Sequence, residues 1–427
     1  MDILIKGGRV VDPASGRDAL GDVFIADGKI ADKAGKAGRI IDARGLVVAP
    51  GLIDLSARLR EPGHEYKATL ESEMDAAVAG GVTSLACPPD TDPPLDEPGL
   101  VDMLRRRAKA LSRARVYPVG ALTVKLAGER LTEMAELAEA GCVAFSQANA
   151  PLRDTQVLWR ALQYAATFGF PVWLRAEDTW LAAGGVAHDG EVATRMGLPG
   201  IPAFAETVAL ATLLELVRAT RTRVHVCRLS TAAAVAMVRS AKAEGLPVTC
   251  DVGIHHVHLS DRDLGFYDSN CRLEPPLRSQ RDRDALAAGL ADGTIDCVVS
   301  DHTPVDEDQK QMPFDEAEPG ATGLELLLPL TLKWAAARGI PLATALARVT
   351  SDPARILGVQ TGRLAPGAPA DLVLFDPSAP FRVGAATLKS QGHNTPFIGY
   401  ELAGCVRATL VAGNVVHEVR AGASGSA

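Results

Sequence analysis

The sequence predicts an α/β fold: a (β/α)8 barrel (a TIM barrel) carrying a small β-sandwich built from both ends of the chain. Three observations carry this. Eight short apolar runs recur within residues 51–359. Amphipathic stretches of helical length separate most of them. The two ends, 1–50 and 360–420, are rich in β-formers and short of helix signals, and neither can bury a core alone. Each strand–helix unit has the length of a right-handed parallel crossover, and eight such units suit a closed barrel better than an open sheet.

The elements follow in order. Residues 2–11 form a β-rich segment, and Asp27-Gly28 marks a hairpin turn between 23–26 and 29–31. A further strand, 40–49, is stopped by Pro50-Gly51. The barrel strands are 52–55, 82–87, 116–121, 142–146, 171–174, 223–227, 246–250 and 295–300. Helical stretches lie at 98–113, 128–140, 156–168, 203–219, 231–244 and 281–291, with two more at 323–337 and 341–348. The polar stretches 88–98 and 303–320 follow strand C-terminal ends, where barrel sites are built. Strands 371–375, 406–411 and 415–416 complete the sandwich, the last two around Gly413-Asn414, and 421–427 reads as a disordered tail.

Composition narrows the function. The chain has 427 residues, 47% hydrophobic and 22% charged, as in an ordinary soluble protein. The net charge is −8 and no basic run stands out, which argues against nucleic-acid and anionic-membrane partners. No apolar stretch is long enough to span a bilayer, and residues 1–8 lack the apolar region of a secretory signal. The seven cysteines have no CxxC spacing, and Cys87, Cys142, Cys227, Cys250 and Cys297 sit inside apolar runs. They are expected as reduced thiols in a cytoplasmic protein.

The residues at the strand ends carry the chemistry. After the first barrel strand come Ser56, Ala57, Arg58, Leu59, Arg60 and Glu61; after the fourth, Gln147, Ala148 and Asn149. The fifth ends at Arg175, the sixth at Arg228, the seventh at Asp251 and the eighth at Asp301-His302. Together with Pro50-Gly51-Leu52-Ile53-Asp54, Leu59-Arg60-Glu61-Pro62-Gly63, Gly80-Gly81-Val82-Thr83-Ser84, Pro275-Pro276-Leu277-Arg278 and Asn394-Thr395-Pro396-Phe397, this chain resembles the dihydroorotases of the amidohydrolase superfamily. The resemblance runs over nearly the whole chain.

That resemblance implies a catalytic pattern which the chain does not keep. The family's metal positions would be Ser56, Arg58, Gln147, Arg175, Arg228 and Asp301, and only Asp301 is a family ligand type. Zinc needs lone pairs from imidazole, carboxylate or thiolate, whereas a guanidinium has five donors and no acceptor. Zinc is therefore expected to be absent, no other cofactor is expected, and no catalytic residue is expected. Arg60 matches the family arginine that grips a substrate carboxylate, but its expected Asn partner is Asp90, the Asn before Pro-Pro-Leu-Arg is Glu274, and a further family His is Val305.

Arg58, Arg175 and Arg228 are read as a plug that balances carboxylates such as Asp301, Glu177 and Asp251 in an emptied site. The functional version of the same cluster is an anion pocket formed by Arg58, Arg60, Arg175 and Arg228. Asp301 and His302 are read as relics. Arg60 is expected either to take an acidic ligand or to cap the mouth against Glu61 or Asp90. His256 and His258 would share one face of an extended segment, yet the three histidines His255, His256 and His258 read as structural. Within the family, the chain is most like the inactive dihydroorotase-like subunits that assemble with aspartate carbamoyltransferase in pyrimidine biosynthesis, which implies an oligomeric scaffold partnered by that enzyme's catalytic subunit. Two other readings stay open: a zinc hydrolase with unusual ligands such as Asp301 with His255 and His256, and a metal-free anion-binding barrel.

Overall fold

The computed structural model describes residues 2–32, 35 and 37–419, so the expected disordered tail at 421–427 lies outside the described residues. The chain opens with β1 (Ile3–Asp12), β2 (Arg17–Ala26), β3 (Lys29–Ala31), β4 (Arg39–Asp42) and β5 (Val47–Pro50). The barrel strands β6 (Leu52–Asp54), β7 (Val82–Cys87), β8 (Arg115–Ala121), β9 (Ala144–Ser146) and β10 (Val172–Arg175) follow. A two-residue ladder of β11 (Ala187–His188) and β12 (Gly200–Ile201) interrupts them. The barrel resumes with β13 (Val224–Cys227), β14 (Val248–Gly253) and β15 (Cys297–Val299), and the chain ends on β16 (Leu372–Arg382), β17 (Glu401–Val411) and β18 (Asn414–Glu418).

The ends of the chain do pair. β5 hydrogen-bonds to β1 on one side and to β16 on the other, giving the order β18-β17-β16-β5-β1-β2-β3, with β4 added to β1. A bulge between Ile5 and Gly8 lets the two halves of β1 pair with β4 and β5 in turn. The sheet curls back on itself. A Cβ on Gly413 would sit 2.9 Å from Gly28 Cα, so the β2–β3 turn meets the β17–β18 turn. Between the layers lie Ile5, Val10, Ile25, Val48, Leu372, Leu374 and Leu410.

The eight barrel strands are all parallel, in the order β15-β14-β13-β10-β9-β8-β7-β6. Their interior is packed with Ile53, Ala86, Val119, Ala144, Trp173 and Val299, and Cys227 lies against them. Among the described residues, no strand ladder joins β15 to β6. Asp54 closes that seam instead: its carboxylate accepts from the Ser300 backbone N–H at 3.0 Å, from the Ser300 hydroxyl, and from Ser56 N–H at 3.3 Å. Burial pushes this carboxyl up to about 7 against the pull of those hydrogen bonds. A bridge between Ala57 and His302 continues the closure towards the mouth.

The helix Leu70–Ala79 is one the sequence reading did not name. Thr69 caps it, accepting from Ser72 N–H at 3.2 Å. Its weak amphipathic signal has a physical cause, since Leu70, Glu73, Met74, Ala76, Ala77 and Val78 are all buried. The sheet rests on the barrel through Val373 and Phe375, which share the barrel's outer core, and through Thr409 Oγ1, which donates to Val78 O at 2.7 Å. Asp371, wholly buried, receives Arg115 at 2.8 Å.

One charge reading needs correction. Arg105, Arg106, Arg107, Lys109, Arg113 and Arg115 do form a basic stretch along and just beyond the helix Pro98–Leu111. Acidic neighbours hold most of it: Arg106 pairs with Asp102, Arg107 with Glu61, Arg113 with Asp75 and Arg115 with Asp371. Among the described residues, no helix is long and apolar enough to cross a membrane.

Candidate functional site

The C-terminal ends of the barrel strands gather most of the expected residues. Four of them hold left-handed backbone without being glycine: Arg60 (φ +59°), Ala148 (+50°), Arg228 (+55°) and Asp301 (+47°). Such conformations cost about 1–3 kcal/mol each and persist where tertiary packing enforces them. Here they turn the chain sharply at the rim, so that side chains from separate strands converge.

Asp301 sits at the centre. Ser56 Oγ donates to its Oδ1 at 3.2 Å, and Arg228 Nη1 donates to the same atom at 3.2 Å. Arg58 Nη1 lies 3.6 Å from it. Arg58 also donates through Nε to Asp90 at 2.8 Å and through Nη1 to Thr303 Oγ1 at 3.1 Å. Burial works against the charge on Arg58, but Asp90 and Asp301 outweigh it and raise the pKa. Asp90 shows the converse: burial favours its neutral form, yet Arg58 and then Arg60 hold its carboxyl below the usual range. Arg228 further donates to Glu274 O at 3.3 Å and to Asn149 Oδ1.

The remaining expected residues turn elsewhere. Arg175 does not reach Asp301; it donates to Glu274 Oε1 at 2.6 Å and lies 2.9 Å from Glu177. Gln147 accepts from Thr123 Oγ1 at 2.9 Å and donates to Leu126 O at 2.8 Å, which ties it to the loop after β8. Arg60 caps neither Glu61 nor Asp90. It donates to Pro304 O at 2.7 Å and faces Glu318 at 3.7 Å, and burial followed by the nearby Arg58 charge lowers its pKa. Glu61 instead caps the helix Leu70–Ala79 by accepting Leu70 N–H at 2.9 Å. Asp251 lies deeper, accepting Arg228 N–H at 2.6 Å and His225 at 2.9 Å.

His302 and Asp301 are adjacent in sequence and diverge in space. His302 Nδ1 accepts Gly323 N–H at 3.1 Å, so Nε2 carries the proton and gives it to buried Glu73 at 2.5 Å. The segment holding His255, His256 and His258 is a helical turn, Ile254–His258, and not an extended strand. Each ring contacts a backbone carbonyl: Thr322 O at 3.3 Å, Pro275 O at 2.9 Å and Leu330 O at 2.9 Å. Burial pushes His255 and His258 down to about 4, so both are neutral donors at pH 7.

The mouth is close to charge balance. Arg58, Arg60, Lys67, Arg175 and Arg228 face Asp90, Glu177, Glu274, Asp301 and Glu318. Sequence reasoning missed Lys67, Thr303 and Glu318, named Asn149 only as a strand-end residue, and took Glu274 as an eroded substrate contact and Asp90 as either that or a cap for Arg60. The available signal was that these acids and the new arginines depart from the family pattern with opposite signs. The cavity left between them is about 140 Å³, below the usual size of a small-molecule site. A tetrahedral zinc does not fit this donor set, because the carboxylates that face the mouth, Asp301 among them, are each held by a guanidinium or ammonium group.

Comparison with known proteins places the chain. A family model described as dihydro-orotase-like matches residues 45–234, and one for the amidohydrolase family matches 218–417. A dihydroorotase-like protein of Pseudomonas aeruginosa is 46% identical over 98% of this chain and 100% of its own length. The chain belongs to the dihydroorotase-like family of amidohydrolases. A protein named dihydroorotase from Pelotomaculum thermopropionicum is 44% identical over 98% of the chain and 99% of its own. Among solved structures, the L-hydantoinase of Arthrobacter aurescens superposes with a TM-score of 0.86 at 25% identity, covering 98% of this chain and 96% of that one. The dihydroorotase-like barrel with its attached β-sheet domain is thus the architecture of hydantoinases as well.

Proposed function

We propose that this dihydroorotase-like chain is a catalytically inactive structural subunit that stabilises aspartate carbamoyltransferase in pyrimidine biosynthesis. One observation carries the reading: the side chains at the family's metal positions are committed to one another and to neighbouring acids, with Arg58 and Arg228 on Asp301, Arg175 on Glu274 and Gln147 on the loop after β8. Guanidinium–carboxylate pairs of this kind satisfy one another's charge and offer neither an activated water nor a Lewis acid. The partner's identity comes from the sequence resemblance alone; the barrel's intact core supports only a continued need for the fold, which selection for catalysis would not preserve once the ligand types were gone.

The test is native mass spectrometry of the chain isolated from its own cell, paired with a dihydroorotate hydrolysis assay in added zinc. The reading expects a complex containing the transcarbamoylase and no turnover above a blank. Zinc-dependent hydrolysis by the pure chain would overturn it. The anion-pocket version gains little from the geometry, since five carboxylates already face the five cations.

A further inference from the structure

Below the mouth, three donors of different kinds meet inside the barrel. His225 and Cys227 are two residues apart on β13 and so point the same way. β14 runs beside them in register, Val226 opposite Cys250, which sets Asp251 level with Cys227. The imidazole, thiol and carboxylate donor atoms all lie within 4.8 Å of one another, and His225 Nε2 is 2.9 Å from Asp251 Oδ2.

We propose that His225, Cys227 and Asp251 form a buried site for one divalent, thiophilic metal ion such as zinc, distinct from the family's site at the mouth. Three features support it. The outer atoms are already held: His225 Nδ1 meets Thr249 Oγ1 at 2.8 Å, and Asp251 Oδ1 accepts Arg228 N–H at 2.6 Å, which leaves Nε2 and Oδ2 to converge. Charge balances, because a dication with one thiolate and one carboxylate is neutral, as an apolar interior requires. The indole N–H of Trp173, whose ring lies 5.4 Å from that of His225, has no acceptor, and an oxygen ligand in the fourth position would supply one.

Binding is a proton exchange. Cys227 loses its thiol proton to solvent as the metal–sulfur bond forms, and the His225 proton moves from Nε2 to Nδ1, where Thr249 accepts it. Tetrahedral zinc places N and O ligands about 3.3 Å apart, so the His225–Asp251 contact opens by a few tenths of an ångström. The inference is independent of the inactive-subunit reading, since three protein ligands beneath a paired arginine layer hold an ion without presenting it to substrate.

Titration of the metal-free full chain with Co²⁺ tests it. The expected result is one equivalent bound with a thiolate-to-cobalt charge-transfer band, lost in Cys227→Ser and kept in Asp301→Asn. Absence of stoichiometric binding overturns the proposal. So does binding without the thiolate band, and if that binding is abolished by Asp301→Asn, the ion sits at the mouth and the inactive-subunit reading fails as well. Should Cys227→Ser not fold, zinc-edge X-ray absorption of the unaltered chain decides: one sulfur at about 2.3 Å among lighter ligands supports the site, and nitrogen and oxygen alone reject it.

Discussion

Arg58 and Asp90 lie on the loops after β6 and β7, and their 2.8 Å contact replaces what the family resemblance would have read as two separate losses. Arg175 and Glu274 repeat the arrangement at 2.6 Å. Removing one member of a buried pair strands the other, which costs about 3–5 kcal/mol, whereas removing both and filling the space is far milder. Arg58→Leu should therefore destabilise the chain strongly, and Arg58→Leu with Asp90→Leu should recover much of the loss. Urea unfolding of the two single variants and the double measures this; simple additivity would mean the pair does not act as a unit. Gln147 is different in kind, since its partners Thr123 and Leu126 lie on the loop after β8, and Gln147→Ala should loosen that loop with little effect on the arginine layer.

At the scale of elements, the seam between β6 and β15 depends on Asp54. Its folded pKa of about 7 stands well above the unfolded value of 3.8, and burial is the main cause. The folded state therefore holds a proton that the unfolded state releases. Stability from this group is full below the unfolded pKa and is lost as pH rises through about 7. Asparagine at this position accepts the same backbone N–H groups and donates to the Ser300 hydroxyl without titrating. Asp54→Asn should thus gain on the parent chain as pH goes from 5 to 8, by at most about 1.4 kcal/mol per pH unit. Thermal melts across that range check it; parallel curves would show that Asp54 stays ionised when folded.

For the whole molecule, the barrel keeps strained rim residues and a packed interior while its mouth is filled by ion pairs. Placing histidine at 56, 58, 175 and 228 would remove three of the five cations and leave Asp90 and Glu274 without their partners. Gln147 would still be committed to its own loop. The quadruple variant should be less stable than the parent and should not hydrolyse dihydroorotate in zinc. Turnover by that variant would show that the surrounding residues matter less than the ligands. The sheet domain adds a second dependence. Arg115→Ala would uncover Asp371, which is wholly buried and also accepts Ala412 N–H at 2.7 Å, and protease digestion should then release the sheet segments sooner.

Much of this was written in the chain order. The alternation of apolar runs with helical stretches placed all eight barrel strands, because strand burial is a local pattern that repeats. The Asp27-Gly28 turn did the same for the β2–β3 hairpin. Local patterns failed where burial is uniform, as in the helix Leu70–Ala79, and where two short strands, Arg39–Asp42 and Val47–Pro50, were read as one at 40–49.

What the sequence by itself determined was the barrel, the pairing of its two ends, and the presence of guanidinium groups at the C-terminal ends of barrel strands. Only the tertiary structure decided which acid each arginine meets, that His302 faces Glu73 and not the mouth, and that His225, Cys227 and Asp251 share one point. The reason is distance along the chain: these contacts join residues tens to hundreds of positions apart, and a side chain's direction at a strand end is set by the left-handed turns and packing around it, which no local spacing encodes.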